Sequence, residues 1–367
     1  MSDTRMILVG GFLGAGKTTL LTRAAQRLAS QGKLVAVVAN DQAANLVDTG
    51  TLRSAGLYVG EVAGGCFCCR FDQFLDECGK LARESKAEVI LAEPVGSCTD
   101  ISATILQPMK DLLTEKYRLA PFTVLTDPYR LREVFSEGVS SNFPDSVTYI
   151  FRKQVEEADL IAINKIDLLT EAEIAELKAM VAKHAPGTPI LTLSALTGEG
   201  VDAWLDCVLS ETSAGTRITE VDYDTYADGE AVLGWLNATA QLHAAGQPDW
   251  DGFCLSLMEQ MQGEFRARSA EVAHVKLLLA TTGGRITVNL TATGGKPSLN
   301  GSAERTVQDA LLVINARVRM EPDELQAVVE RSVQAACDGQ VEGRITSIAS
   351  FKPGRPQPTH RYAGVVS

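Results

Sequence analysis

The sequence predicts a mostly parallel α/β domain followed by a smaller α+β domain. Apolar, β-branched runs alternate with helical stretches over about the first 210 residues, which is typical of a parallel sheet covered by helices. A polar, acidic stretch follows, and beyond it the pattern changes to alternating strands. We therefore expect a first domain at 1–212, a linker at 213–228, a second domain at 229–352 and a loosely ordered, proline-rich basic tail at 353–367.

The elements of the first domain follow one another regularly. Continuous apolar runs predict buried strands at 6–9, 34–39, 89–92, 122–126, 160–163 and 190–193. A shorter strand is expected at 57–62, and helices are expected around 20–25 and at 71–84. Because ligands of such sheets bind at the carboxyl ends of the strands, the residues that follow these runs are the candidate site residues.

The second domain is predicted from a different pattern. Residues 232–242 alternate in part and 286–290 alternate cleanly between apolar and polar. A helix with one apolar face follows Pro322, which suits the first turn of a helix, and a last strand is expected at 344–350. The order strand, helix, two or three strands, helix, strand resembles a split β-α-β unit.

Composition excludes some classes of partner. The chain has 367 residues and a formal net charge of −12, which argues against a nucleic-acid-binding surface. No apolar run reaches the roughly 18 residues of a membrane span, and the start of the chain does not look like a signal peptide. We therefore expect a cytoplasmic protein without membrane contact. In a reducing compartment, clustered cysteines more often bind metal or act in redox chemistry than form disulfides.

A glycine-rich segment after the first strand matches G-x-x-x-x-G-K-[ST], the phosphate-binding P-loop. The predicted nucleotide-binding residues here are Gly11, Gly14, Ala15, Gly16, Lys17, Thr18 and Thr19. Glycines let successive backbone N–H groups point at phosphate oxygens, Lys17 reaches the β- and γ-phosphates, and the Thr18 hydroxyl holds Mg²⁺. The alternative is a glycine-rich turn that matches by chance.

The segment after the strand at 160–163 predicts the base that is bound. Asn164, Lys165 and Asp167 form N-K-x-D, in which the Asp carboxylate accepts hydrogen bonds from the two N–H donors of guanine that adenine lacks. Ser194 and Ala195 follow the next strand and match the supporting loop. The first domain is thus predicted to be a P-loop GTPase domain. The alternative is that Asp167 caps the helix that follows.

Acidic residues at strand ends are candidates for the magnesium site. Glu93 and Gly96 follow the strand at 89–92, where an acid associated with Mg²⁺ and a glycine that senses the γ-phosphate are expected. Asp41 is a further candidate ligand of Mg²⁺ or of a transferable metal. We assign Lys17, Thr18 and Glu93 as the catalytic residues; the alternative for Glu93 is a solvent-facing strand end.

Cys66, Cys68 and Cys69 form the most informative cluster. Three thiols this close suit a soft or borderline cation such as Zn²⁺, Co²⁺ or Cu(I). A second C-x-x-C or histidine pair is absent from the sequence, so the site is expected to have a position that is open or filled by a carboxylate (Glu61, Asp41 or Asp48) and that permits release. Inert buried cysteines and a redox pair remain alternatives. The other five cysteines are interpreted as core residues: Cys78, Cys98, Cys207, Cys254 and Cys337.

These motifs, in this order and spacing, resemble the CobW-type GTPases, metallochaperone-like relatives of the nickel-enzyme maturation GTPases. The match covers about 5–212 and includes Asp48, Asp127 and Gln154. The resemblance implies that Cys66, Cys68 and Cys69 bind zinc or cobalt, that the GTP state controls metal affinity, and that the partner is a metalloenzyme or its assembly site. Asn40-Asp41 departs from the usual Asn-Glu, and the usual histidine-rich loop is absent.

The leading hypothesis is a slow GTPase that binds GTP, Mg²⁺ and Zn²⁺ or Co²⁺ and transfers the metal to a client metalloprotein. No glutamine or arginine that would accelerate hydrolysis is evident in the sequence. The second hypothesis is a GTP-gated activator of a client enzyme, with structural cysteines. A kinase-like phosphotransferase is a weaker third, and a homodimer is left open.

Overall fold

The computed structural model describes residues 4–41, 57–113, 116–136, 138–337 and 339–366. These residues form two compact units. The first unit contains the described residues of 4–41, 57–229 and 355–366, and the second contains those of 230–354.

The first unit is built on an eight-stranded sheet in the order β3-β2-β4-β1-β6-β7-β8, with β5 beside β1. All pairs are parallel. The strands are β1 (Thr4–Gly10), β2 (Val35–Asp41), β3 (Tyr58–Ala63), β4 (Val89–Glu93), β5 (Tyr117–Leu119), β6 (Thr123–Thr126), β7 (Leu160–Ile163) and β8 (Ile190–Thr192). The helices are α1 (Lys17–Ser30), α2 (Phe71–Glu84), α3 (Gln107–Leu113), α4 (Pro128–Phe135), α5 (Asp145–Glu157), α6 (Glu171–His184), α7 (Val201–Ser210) and α8 (Tyr223–Ala231).

The predicted parallel α/β architecture is confirmed. Strands β1, β4, β6 and β7 are buried along their whole length, which is why their central residues appear in the sequence as apolar runs. Helix α1 packs Leu20, Leu21 and Leu28 into the same core as Ile7 of β1. Strand β5 was missed because three residues are too few to show a periodicity.

The second unit is a six-stranded antiparallel sheet in the order β12-β11-β10-β13-β9-β14. Its elements are β9 (Gly234–Ala244), α9 (Trp250–Ala267), β10 (Val272–Thr281), β11 (Gly284–Leu290), β12 (Ser298–Ala303), β13 (Asp309–Val318), α10 (Pro322–Ala336) and β14 (Val341–Phe351). Strand β13 separates β9 from β10, so the split β-α-β arrangement is confirmed, with four strands rather than two or three between the helices. In the described part of the chain, no helix has both the length and the apolar character needed to span a membrane.

The residues expected to form a loosely ordered tail make specific contacts within the first unit. The backbone N–H groups of Thr359 and Tyr362 donate to the carbonyl oxygens of Cys68 and Ala103, at 2.8 and 3.0 Å. Arg361 Nε donates to the buried carboxylate of Asp100 at 2.7 Å. The expectation of loose order was therefore wrong. Composition alone does not show the acceptors, which lie more than 250 positions earlier in the chain.

Candidate nucleotide and metal site

The P-loop is a left-handed glycine turn between β1 and α1. Gly11, Gly14 and Gly16 have φ values of +129°, +81° and +98°, which L side chains rarely adopt. A Cβ at Gly16 would lie 2.4 Å from Nδ2 of Asn164, so this position has no room for a side chain. Helix α1 begins at Lys17, directly after the loop, and a glycine loop followed by a helix N-terminus is the arrangement that binds phosphate.

Two of the predicted magnesium-site residues, Thr18 and Glu93, are in contact. Thr18 Oγ1 donates a hydrogen bond to Glu93 Oε1 at 3.0 Å, and both side chains are buried. The parallel pairing of β1 with β4 brings the end of β4 beside the P-loop. A hydroxyl and a carboxylate together form a hard oxygen donor set that fits Mg²⁺. Because only 6% of Glu93 is exposed, the alternative of a solvated strand end is excluded.

Two other acidic residues that were candidate metal ligands, Asp41 and Asp48, cannot be placed among the described side chains. Strand β2 ends at Asp41, but its side chain is outside the described residues. Asp48 also lies outside them. Their proposed roles therefore stay predictions.

The predicted guanine segment is tied directly to the P-loop. Asn164 is buried directly after β7, and its Nδ2 donates to the carbonyl oxygen of Ala15 at 2.7 Å. Its Oδ1 accepts the N–H of Ala195 at 2.8 Å. Ser194 is buried and its Oγ accepts the N–H of Thr197. One amide side chain thus holds together the three segments predicted to surround the nucleotide.

Lys165 and Asp167 lie on the next turn. Lys165 adopts a left-handed backbone conformation and its Nζ forms an ion pair with Asp127 at the end of β6. Asp167 is exposed on a short 3-10 turn. The next helix, α6, is capped by Thr170, whose hydroxyl accepts from Glu173 N–H. The alternative in which Asp167 caps that helix is therefore not observed.

Gly96 lies against the P-loop. A Cβ at Gly96 would be 2.8 Å from Cδ2 and 3.0 Å from the backbone nitrogen of Leu13. The buried side chain of Gln154 donates from Nε2 to the carbonyl oxygens of Gly96 and Cys98, at 3.0 and 2.8 Å. Gln154 therefore holds the loop after β4 in place.

The sulfur atoms of Cys66, Cys68 and Cys69 lie together in the first unit. The Sγ–Sγ distances are 2.9 Å between Cys66 and Cys68, 3.0 Å between Cys66 and Cys69, and 3.9 Å between Cys68 and Cys69. Three thiolates around one zinc ion, with Zn–S bonds of about 2.3 Å, lie about 3.8 Å apart. The observed Sγ–Sγ distances differ from that value by less than 1 Å, so small side-chain rotations suffice to surround one ion. The donor set therefore fits a soft or borderline cation.

Asn40 positions the cysteine loop, a role that the sequence did not reveal. Its Nδ2 donates to the carbonyl oxygens of Val62 and Gly65 at 2.9 and 2.8 Å, and its Oδ1 accepts the N–H of Phe67 at 2.9 Å. The carbonyl oxygen of Cys66 then accepts two N–H groups of the turn that leads into α2. The available signal was a buried asparagine at the end of a strand, one position before the predicted Asp41.

The three cysteines of the cluster shift one another's pKa values. Hydrogen bonds that Cys66 shares with the thiols of Cys68, Cys69 and Cys98 lower the pKa of Cys66 well below its ordinary value. The same sharing with Cys66, together with burial, raises the pKa of Cys68 well above the ordinary value and raises that of Cys69 to about 11. Cys66, the sulfur that contacts both of the others, is therefore the cysteine of the cluster that deprotonates most easily.

Cys98 is buried, as expected of a core residue, but it also contacts the cysteine cluster. Its thiol hydrogen-bonds to that of Cys66. The loop after β4 thus contacts the cysteine cluster directly. The signal that was available is its position two residues after Gly96, in the segment expected to sense the γ-phosphate.

Comparison with known proteins gives one family and several distant relatives. The family model described as "CobW/HypB/UreG, nucleotide-binding domain" matches residues 5–192. The zinc chaperone CobW of Pseudomonas aeruginosa is 25% identical over 266 residues, covering 66% of this chain and 62% of that protein. The zinc chaperone CobW of a Sinorhizobium species is 24% identical over 211 residues, covering 52% of this chain and 59% of that protein.

This chain therefore spans about three-fifths of the length of these curated relatives. Among solved structures, HypB from Helicobacter pylori in complex with nickel aligns with a TM-score of 0.42 and 19% identity, covering 57% of this chain and 88% of that one.

Proposed function

The chain belongs to the CobW/HypB/UreG nucleotide-binding family, and from this membership we propose that it is a GTP-hydrolysing metallochaperone. It binds a transition metal, zinc or cobalt, through Cys66, Cys68 and Cys69 and delivers it to a client metalloprotein under nucleotide control. The observation that carries the proposal is the convergence of these three sulfurs, all within 4.8 Å of one another. The names of the relatives, zinc chaperones, support zinc as the cargo.

The nucleotide is held at both ends. The P-loop N–H groups and Lys17 bind the phosphates, Thr18 and Glu93 hold Mg²⁺, and Asp167 reads guanine with support from Asn164, Lys165, Ser194 and Ala195. When bound, Mg²⁺ neutralises phosphate charge. Hydrolysis should be slow, because the motifs recognised in the sequence include neither an arginine finger nor a water-orienting glutamine.

Control passes through the loop after β4. Gly96 packs against Leu13 of the P-loop, and Gln154 links Gly96 to Cys98. Segments that contact a γ-phosphate relax when it is lost, so metal affinity should follow the nucleotide state. The cytoplasm, where thiols stay reduced, is the proposed compartment.

The second candidate is a GTP-gated activator in which the cysteines are structural. It is favoured by the burial of Cys66 and Cys68, which are 6% and 2% exposed. Serine substitution of all three cysteines separates the two functions. If the second candidate is right, the triple-serine variant still activates the client; if the first is right, it does not.

The direct test measures Zn²⁺ affinity of the full chain with a non-hydrolysable GTP analogue and with GDP. We expect tighter binding with the analogue and loss of binding in Cys66→Ser. The matched control is Cys207→Ser, a partly buried cysteine on α7. Equal Zn²⁺ affinity in both nucleotide states contradicts the switch, and unaltered binding in Cys66→Ser contradicts the site.

A further inference from the structure

We propose that Cys98 is a fourth, nucleotide-controlled ligand of the metal held by Cys66, Cys68 and Cys69. This inference rests on the proposed function, because it assigns a further ligand to the same metal. It adds the physical element through which the nucleotide acts on the metal.

The position of Cys98 is the first argument. Its side chain is 2% exposed and its thiol hydrogen-bonds to that of Cys66. Two thiols that hydrogen-bond to each other are about as far apart as two sulfur ligands of one zinc ion, which are about 3.8 Å apart. Among the described residues, the Sγ atoms of Cys66, Cys68 and Cys69 all lie within 4.8 Å of one another, and Cys98 is outside that group.

The chain path is the second argument. Glu93, which contacts Thr18, is five residues before Cys98, and Gly96, which packs on the P-loop, is two residues before it. The N–H of Cys98 donates to the carbonyl oxygen of Val95 at 2.9 Å, forming a tight turn. Gln154 binds the carbonyl oxygens of both Gly96 and Cys98, so the two ends of the turn move together.

The far side of Cys98 is anchored. The carboxylate of Glu157, fully buried, accepts from Thr99 Oγ1 at 3.2 Å and from Ser102 N–H at 3.0 Å. Asp100, in a left-handed backbone conformation, binds Tyr223 and Arg361. If Gly96 shifts, Cys98 should therefore shift with it, whereas Thr99 and Ser102 should stay in place because buried hydrogen bonds hold them.

The chemistry follows from the number of thiolates. Three thiolates leave one tetrahedral position open, as in sites that exchange a ligand, whereas four thiolates close the site. With GTP, Cys98 occupies the fourth position and the metal is retained. After hydrolysis, Cys98 withdraws and the open position accepts a ligand of the client. The bond between Cys98 Sγ and the metal forms as the thiol gives its proton to solvent, and it breaks as the thiolate takes a proton back, while no bond between protein atoms changes.

The test uses Co²⁺ bound to the full chain, because the intensity of the sulfur-to-cobalt charge-transfer band increases with the number of thiolates. For the wild type we expect about one-third more intensity with a non-hydrolysable GTP analogue than with GDP, as four thiolates replace three. Cys98→Ser should show the lower intensity in both states, while the control Cys207→Ser should behave as the wild type. GTP affinity of each variant checks its folding.

The outcomes are separable. If Cys98→Ser keeps the wild-type intensities and their nucleotide dependence, Cys98 is not a ligand although the metallochaperone proposal stands. If the wild type binds no Co²⁺ or Zn²⁺, the proposed function itself fails. X-ray absorption of the wild type with Zn²⁺ needs no variant: four sulfurs with the analogue and three with GDP support the proposal, and equal counts overturn it.

Discussion

The Nδ2 of Asn164 lies 2.7 Å from the carbonyl oxygen of Ala15, so the guanine segment and the P-loop are joined by one side-chain hydrogen bond. The same amide accepts the N–H of Ala195. Segments separated by 149 and 31 positions in the sequence therefore depend on one residue.

Asn164→Ala should lower both stability and nucleotide affinity. It leaves a buried carbonyl and a buried N–H without their partner, which costs about 2–4 kcal/mol. We expect GTP affinity to fall at least about tenfold, since the three loops lose their common anchor. Urea unfolding and GTP titration measure both effects. Asn300→Ala, at an exposed position of β12, is the control, and equal behaviour of the two variants contradicts this role.

Asp167→Asn should change the base that is bound. The substitution removes the carboxylate that accepts from guanine and supplies an N–H₂ donor instead. We expect GTP affinity to fall about 10–100-fold, the range of a lost charged hydrogen bond, and affinity for xanthosine triphosphate, which has an oxygen in place of the amine, to rise. Competition titrations check it. An unchanged preference for guanine would show that Asp167 does not read the base.

Zn²⁺ binding should release protons. Cys66, whose pKa is lowered, gives up its proton first, whereas Cys68 and Cys69, with raised pKa values, carry their protons until metal displaces them. With GDP bound, we expect about two protons per Zn²⁺, so apparent affinity rises about 100-fold per pH unit between pH 6.5 and 8.5. Calorimetry in buffers of different ionisation enthalpy counts the protons. Cys69→Ser should release one fewer, and a pH-independent affinity contradicts the assignment.

The backbone N–H of Gln357 donates to Cys69 Sγ at 3.2 Å and lowers the pKa of this thiol. Gln357→Pro deletes the donor at a site already flanked by Pro356 and Pro358, whereas Gln357→Ala keeps it. We expect the proline variant alone to show slower alkylation of Cys69 and about 2–10-fold weaker Zn²⁺ binding, since one hydrogen bond to sulfur is lost. Identical rates and affinities in the two variants would remove this contact from the metal site.

Glu157 should make stability depend on pH. Burial, with Asp100 nearby, raises its pKa to about 8 in the folded state. Between the unfolded pKa of about 4.3 and pH 8, the folded protein keeps a proton that the unfolded chain releases, so the free energy of unfolding decreases as pH rises, by up to about 1.4 kcal/mol per pH unit.

Glu157→Gln should remove this slope, because an amide does not titrate. Urea unfolding at pH 5.5 and 8 compares it with Glu156→Gln, a partly exposed neighbour. At pH 5.5 Glu157→Gln should be no more stable than the wild type, and between pH 5.5 and 8 its free energy of unfolding should rise relative to that of the wild type. Parallel pH profiles of Glu157→Gln and wild type would show that Glu157 is ionised in the folded protein.

The sequence by itself determined the features that depend on neighbouring residues. The P-loop, the N-K-x-D segment and the cysteines at 66, 68 and 69 are contiguous, and each acts through its local backbone conformation. The buried parallel strands were equally readable, because a strand buried on both faces must be apolar throughout.

Only the tertiary structure decided which distant residues meet. That Cys98 contacts Cys66, that Asn40 holds the cysteine loop, and that Gln357 reaches Cys69 depend on the sheet order and on the loops after its strands. Hydrophobic periodicity reports which side of an element is buried but not its neighbour. A lone cysteine and a proline-rich tail carry no periodic signal, so their partners became visible only once the chain was folded.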